Sequence, residues 1–233
     1  TSYVNNNYYA SSNSGVSFTS RTLANNTGAA FINVTDYDNA ANIMYCGDNN
    51  GKYCRWTDPQ TGGTHAMVTI TSFNSSRTSA ITVSPNTSNR VFFGLTNGRI
   101  VKVDNANTIA SGSAGTQINV GVAGMPASTV SCIEVQNTND NHLIATFSNY
   151  GVNSVWETLN GGTSWTSIEG NLPDMPIRWA LMNPNDSSQV LLATEVGVWS
   201  TDHVNGGATV WGPSNGGLAN VSTRMLQIRS SDK

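Results

Sequence analysis

The sequence predicts an all-β protein assembled from repeats of a four-stranded antiparallel sheet, and three observations carry that expectation. A polar glycine turn recurs along the chain, its anchoring glycines at 15, 63, 115, 162 and 207 spaced 45–52 residues apart. A second ladder of hairpin glycines, at 51, 98, 151 and 197, runs at nearly the same interval, and Asn50-Gly51 and Asn97-Gly98 are dipeptides that favour tight hairpins. Composition agrees. Only 11% of the 233 residues are charged, against about 25% in ordinary soluble domains. Asn, Ser, Thr and Gly fill the difference, as strands joined by polar turns require.

The recurring turn is clearest at Thr158-Leu159-Asn160-Gly161-Gly162-Thr163-Ser164-Trp165 and at Ser11-Ser12-Asn13-Ser14-Gly15-Val16-Ser17-Phe18. In each, a hydroxyl and an amide side chain can close the loop, glycine supplies φ > 0, and an aromatic residue opens the next strand. The copies near Gly63, Gly115 and Gly207 are eroded. Before each hairpin glycine of the second ladder lies an apolar run: Ile43–Cys46, Val91–Gly94, Leu143–Thr146 and Val190–Ala193. Such runs suit strands covered on both faces. Another strand and a polar turn precede them, as in Ala80–Val83 before Ser84-Pro85-Asn86, where proline and asparagine end the strand.

Each period therefore holds four short strands, the second the most apolar and the fourth the most polar. A unit of that size cannot bury both faces alone, and radial stacking solves the problem. The expected fold is all-β, a β-propeller of four-stranded antiparallel blades. Complete blades are expected near 29–71, 79–120, 129–168 and 177–212. Residues 3–21 supply two outer strands of a partial blade, and 221–229 one further inner strand. The chain is expected to be a single propeller domain or a segment of a larger one, with the remainder of a longer polypeptide as its neighbour.

The Ser11–Phe18 and Thr158–Trp165 turns resemble the Asp-box, or bacterial neuraminidase repeat, with Asn13 and Asn160 standing where that pattern has Asp. The wider unit, as in Gln189–Asp202, resembles blades of the superfamily that holds sortilin, the photosystem II assembly factor and xyloglucanase-type glycosidases. It is also similar to secreted proteins of Bacteroidetes-type bacteria. The resemblance implies a propeller and an extracellular or cell-surface location. It implies that Ser11, Asn13, Gly15, Phe18, Thr158, Asn160, Gly162 and Trp165 fasten blade edges rather than do chemistry.

Net charge of −3 gives no basic field, so nucleic acid is not an expected partner. No apolar run approaches the roughly 20 residues needed to span a bilayer, so no membrane insertion is expected. Cys46, Cys54 and Cys132 are odd in number and close no disulfide framework. Cys46 and Cys54 flank a hairpin symmetrically and could bond across it, with buried free thiols the favoured reading. No Cys/His cluster has metal-ligand spacing, so neither a metal nor another cofactor is expected. His65, His142 and His203 are isolated and read as solvated.

For catalysis the sharpest candidate is Asp48. The order Asp48-Asn49-Asn50-Gly51-Lys52-Tyr53, followed by Arg55-Trp56, resembles a first-blade motif of xyloglucanase-type enzymes whose Asp is a catalytic carboxylate. Glycoside hydrolysis needs two carboxylates flanking the bond, and the sequence nominates no partner; an ordinary turn aspartate is the competing reading. A sialidase arginine triad is not recognisable. Tyr53, Trp56, Tyr150 and Trp199, near strand ends and turns, are the candidate platforms for a carbohydrate or protein ligand. The expected role is a non-catalytic interaction or adhesion module. The alternatives are a fragment of a xyloglucanase-like glycoside hydrolase and a sortilin-like polypeptide binder.

Overall fold

The computed structural model describes residues 6–23, 31–217 and 219–229. Residues 3–5 and 29–30, expected at the starts of two blades, lie outside the described residues. The chain forms two compact units, Thr1–Leu95 with Val101–Gln117, and Thr96–Ile100 with Ile118–Lys233.

In the first unit, β1 (Asn7–Ala10) and β2 (Thr19–Thr22) form a two-stranded sheet. The strands β3 (Thr35–Asp38), β4 (Ile43–Gly47), β5 (Lys52–Thr57) and β6 (Thr64–Thr69) pair antiparallel in chain order. So do β7 (Thr78–Val83), β8 (Val91–Leu95), β9 (Ile100–Val103) and β10 (Thr116–Gln117). The second unit repeats the plan in β11 (Val130–Gln136), β12 (Asn139–Phe147), β13 (Val155–Thr158) and β14 (Thr166–Ser167). It does so again in β15 (Ile177–Asn183), β16 (Asp186–Thr194), β17 (Gly197–Thr201) and β18 (Gly212–Pro213). Four sheets of four antiparallel strands, each strand beside its sequence neighbour, are the blades of a β-propeller.

The apolar runs become the second strands. All five residues of β8, Val-Phe-Phe-Gly-Leu, are buried, as their unbroken apolar run leads one to expect. The outermost strands β10, β14 and β18 have two residues each; so short an edge offers little template for wrong pairing. A bond just past the outer strand recurs in every sheet. Leu23, Ile70, Ile118, Ile168 and Ser214 donate their backbone N–H to the carbonyls of Asn6, Gly51, Ile100, Val155 and Val198. The repeat is thus a repeat of hydrogen bonds as well as of residue types.

Neighbouring sheets within a unit are tied by side chains reaching backbone. In the first unit Val83 N–H donates to Asp36 Oδ2 at 2.7 Å, and the Tyr53 hydroxyl donates to the Ala106 carbonyl at 2.7 Å. In the second, Ser131 Oγ donates to the Ile177 carbonyl at 2.6 Å and Met182 N–H to Glu134 Oε1 at 3.1 Å. Asp36 and Glu134 do the same work in different blades, and burial raises both carboxyls above their usual values.

For Glu134 the shift is large: burial pushes it up to about 7, opposed by the Met182 N–H. The folded state therefore holds this proton more tightly than the unfolded chain does. Stability should be greatest below about 4.5 and fall as pH rises toward about 7. The contribution is on the order of 3 kcal/mol. Urea midpoints measured from pH 4 to 8 should drift down in the native chain relative to Glu134→Gln, which cannot ionise. Parallel profiles for the two proteins would refute the assignment.

One expected strand does not form. Val221–Arg229 carries no strand, although Thr223 N–H donates to the Thr194 carbonyl and Ile228 lies beside Leu181 and Met182. Its alternation suits a strand, but a strand needs a ladder partner, and none is present for it among the described residues.

Candidate functional site

The two intact turns close identically. Thr158 Oγ1 accepts from the N–H of Gly162 at 3.0 Å and of Asn160 at 3.3 Å, and donates to Asn160 Oδ1 at 2.9 Å. Asn160 Oδ1 accepts from Ser164 N–H at 2.9 Å, and its Nδ2 donates to Ser164 Oγ at 2.8 Å. Ser11, Asn13, Gly15 and Ser17 reproduce all five bonds, between 2.8 and 3.3 Å. The hydroxyl and amide side chains that close each turn are engaged within it, which leaves them little to offer a substrate. The two differ at the aromatic residue. Trp165 is 8% exposed, its indole N–H donating to the Ile118 carbonyl at 2.8 Å, whereas Phe18 is 54% exposed.

Asp48 sits in the turn after β4, only 4% exposed. Its Oδ1 accepts the N–H of Asn49 at 2.7 Å, and its carbonyl accepts the N–H of Thr78 at 3.1 Å. Burial raises the carboxyl, while the Asn49 N–H and the charge of Lys52 pull it down; no second acid is among the groups that act on it. That environment suits a turn residue tying one sheet to the next. Among the described residues no second carboxylate acts on it, as the pair of glycoside hydrolysis would.

The aromatic candidates divide sharply. Tyr53 is fully buried and packs against Phe93 with ring centroids 4.8 Å apart. Trp56 is 2% exposed and donates its indole N–H to the Gly62 carbonyl at 3.2 Å. Neither is an open platform: β5 is an interior strand, so proximity to a turn in sequence does not bring a side chain to the surface. Trp199 packs on the core of the second unit and Tyr150 is 63% exposed. His142, read as solvated, is 7% exposed and pairs with Glu157 at 2.9 Å, because a strand residue facing the next strand finds its partner there. Cys46 and Cys54 stand opposite each other in the β4–β5 register, fully buried and unbonded. Burial pushes the Cys46 thiol up to about 12 and raises Cys54 as well, so neither is a reactive thiolate.

What the structure does assemble is a cleft of about 220 Å³ in the first unit, at the end of β4 and β5 remote from Asp48. Tyr9 from β1, Tyr37 from β3, Met44 from β4 and Trp56 from β5 line it with Pro59 and Gln60 of the β5–β6 turn. Tyr9 is 38% and Tyr37 36% exposed, so two rings are available above a buried indole. Two turns hold its polar rim. The β3–β4 turn is shaped by Asp38 Oδ1, which accepts the N–H of Ala40 at 3.0 Å and of Ala41 at 2.9 Å. The β5–β6 turn is joined to it by Asp58 N–H donating to the Asn42 carbonyl at 3.0 Å.

Across these turns Gln60 Nε2 donates to the Tyr37 hydroxyl at 2.8 Å and to Asn42 Oδ1 at 2.7 Å. Tyr37 in turn donates to Asn42 Oδ1, and Asn42 Nδ2 donates to Asp58 Oδ1 at 2.5 Å. Sequence reasoning missed Tyr9, Tyr37 and Gln60. The one available signal was Tyr37 itself, an aromatic ring between Asp36 and Asp38. A larger groove of about 440 Å³ in the second unit, along Leu181–Asn185 and Leu191, is flanked by Ile228 and has no aromatic wall. Among the described residues no group of three or more His, Cys, Asp or Glu could hold a metal ion. No helix among them is long and apolar enough to cross a membrane.

No protein-family model matches the chain, and no curated protein matches it. Solved structures do. The computationally designed Ika8 protein is 17% identical with a TM-score of 0.55, over 84% of this chain and 52% of that one. The GH74 enzyme of Niastella koreensis, a β-propeller protein, is 18% identical with a TM-score of 0.54, over 77% of this chain and 29% of its own. A chain of the mitotic checkpoint complex is 12% identical with a TM-score of 0.59, over 84% and 55%. The chain therefore spans about half or less of the length of these structures. At such identities the likeness establishes fold alone.

Proposed function

We propose that this chain is a non-catalytic interaction module of an extracellular or cell-surface protein, an Asp-box propeller that binds carbohydrate or protein. The observation that supports this reading best is the cleft of Tyr9, Tyr37 and Gln60: accessible rings beside a preformed polar rim are the chemistry of recognition. The low charge and Asn-rich composition favour an extracellular setting. The identical Ser11 and Thr158 turns favour the Asp-box assignment and its fastening role.

A second reading has its own support. The GH74 neighbour and the Asp48-x-x-Gly51-x-Tyr53 order favour a fragment of a propeller glycoside hydrolase, in which Asp48 supplies one carboxylate and a further domain the other. Incubation of the 233-residue chain with a panel of β-glucans, read by release of reducing ends, separates the two. The module reading expects no release from either the native chain or Asp48→Asn. Hydrolysis by the native chain that vanishes in Asp48→Asn would replace it with the hydrolase reading.

A further inference from the structure

The cleft in the first unit is more selective than a general sticky surface. Its walls are aromatic, so a ligand must present a flat apolar face. Its rim must be satisfied when water leaves, because a buried polar group left without a partner costs about 1–3 kcal/mol. Gln60 Nε2 is already engaged within the network, toward Tyr37 and Asn42. What Gln60 can still offer a ligand is its Oε1, an acceptor. The Tyr37 hydroxyl donates to Asn42 and accepts from Gln60, so it is engaged on both sides within the network. A free acceptor beside an internally satisfied network calls for a ligand that donates through a hydroxyl.

Charge narrows the choice. No Lys or Arg lines the cleft, so nothing there compensates an anion. Asp58, in the turn beside it, is exposed and already holds Asn42 through Oδ1, which makes it a weak counter-ion for a cation. Size narrows it further. At about 220 Å³ the cleft lies below the roughly 300–1,000 Å³ of sites for larger organic ligands. That is room for a single ring.

From these constraints we infer that the cleft holds one neutral pyranose, the terminal residue of a glycan. Its C–H face lies on Tyr9 or Tyr37, and one of its hydroxyls donates to Gln60 Oε1. This deepens the interaction-module reading and rests on it.

Isothermal titration and ligand-observed NMR on the native chain test it, with the methyl pyranosides of glucose, galactose, mannose and xylose, and with glucuronate and choline as charged controls. The expected result is Kd near the millimolar range for at least one neutral sugar, with neither control binding. Tyr37→Ala, which removes the wall, and Gln60→Ala, which removes the acceptor, should each weaken binding about tenfold or more. Tyr37→Phe keeps the wall, so it should retain more affinity than Tyr37→Ala; circular dichroism checks that all three variants are folded. Absence of binding to every neutral sugar, preference for choline or glucuronate, or unchanged affinity in folded Tyr37→Ala and Gln60→Ala would each overturn the inference. A polysaccharide and peptide pulldown distinguishes the two levels. If the native chain and Tyr37→Ala retain the same partner, the cleft is wrong and the module reading stands. If neither polysaccharide nor peptide is retained, the module reading falls with it.

Discussion

Trp211→Ala should destabilise the second unit by about 3–5 kcal/mol, the range for removing a large buried aromatic side chain. Trp211 is 2% exposed and lies in a cluster with Ile144, Val155, Ile168, Leu172 and Ile177. Three hydrogen bonds hold it in place. Its indole N–H donates to the Ile168 carbonyl at 2.8 Å, its backbone N–H donates to Asn171 Oδ1 at 2.6 Å, and Asn171 Nδ2 returns a bond to the Trp211 carbonyl at 3.0 Å. Truncation opens a cavity and also leaves the buried Ile168 carbonyl without this donor.

Trp211→Phe separates the two contributions. It keeps most of the ring and should lose about 1–2 kcal/mol, chiefly the hydrogen bond. Trp199→Phe is the internal control, because the Trp199 indole N–H is buried with no hydrogen-bond partner among the described residues. Removing an unsatisfied donor should be close to neutral. Urea denaturation followed by far-ultraviolet circular dichroism measures all three. A loss under about 1 kcal/mol in Trp211→Ala would show that this ring does not join the sheets of the second unit.

Gly162→Ala is expected to be comparably severe, roughly 3–5 kcal/mol, from two separable causes. Gly162 has φ +93, where any Cβ is strained. An added Cβ would also lie 2.4 Å from the Ile118 carbonyl oxygen and 2.5 Å from the Ile118 Cβ. That oxygen is the acceptor of the Trp165 indole, so relieving the clash disturbs the tie as well. Gly15→Ala provides the contrast. Gly15 has φ +86 and the same turn bonds, yet its nearest new neighbour would be Phe18 Cζ at 3.8 Å. It should show only the backbone strain, about 1–2 kcal/mol. Equal losses at the two glycines would mean that the close approach of Ile118 contributes nothing.

These two glycines show how far sequence could be read. Ser11–Phe18 and Thr158–Trp165 look equivalent as strings, and their local hydrogen bonds are equivalent, because side chains two and four residues apart close a turn without outside help. Their surroundings differ. One aromatic residue is exposed and the other reaches a carbonyl 47 positions earlier. Asp48 and Trp56 are buried for a related reason: a motif gives their order along the chain, while exposure depends on which sheet packs over them. The cleft was illegible because it gathers Tyr9, Tyr37 and Gln60 from three separate elements, none unusual in its own stretch of sequence.

By itself, the sequence determined the repeat, the strand order within each sheet and the closed geometry of its turns. All of these follow from local forces, namely alternation of apolar residues, glycine at positive φ, and short-range side-chain bonds. Tertiary structure alone decided which aromatic rings are buried, that Val221–Arg229 forms no strand with the described residues, and that a neutral aromatic cleft opens at the turns of the first complete sheet. Burial and long-range pairing depend on what packs against a residue from far along the chain, and no local pattern encodes that neighbour.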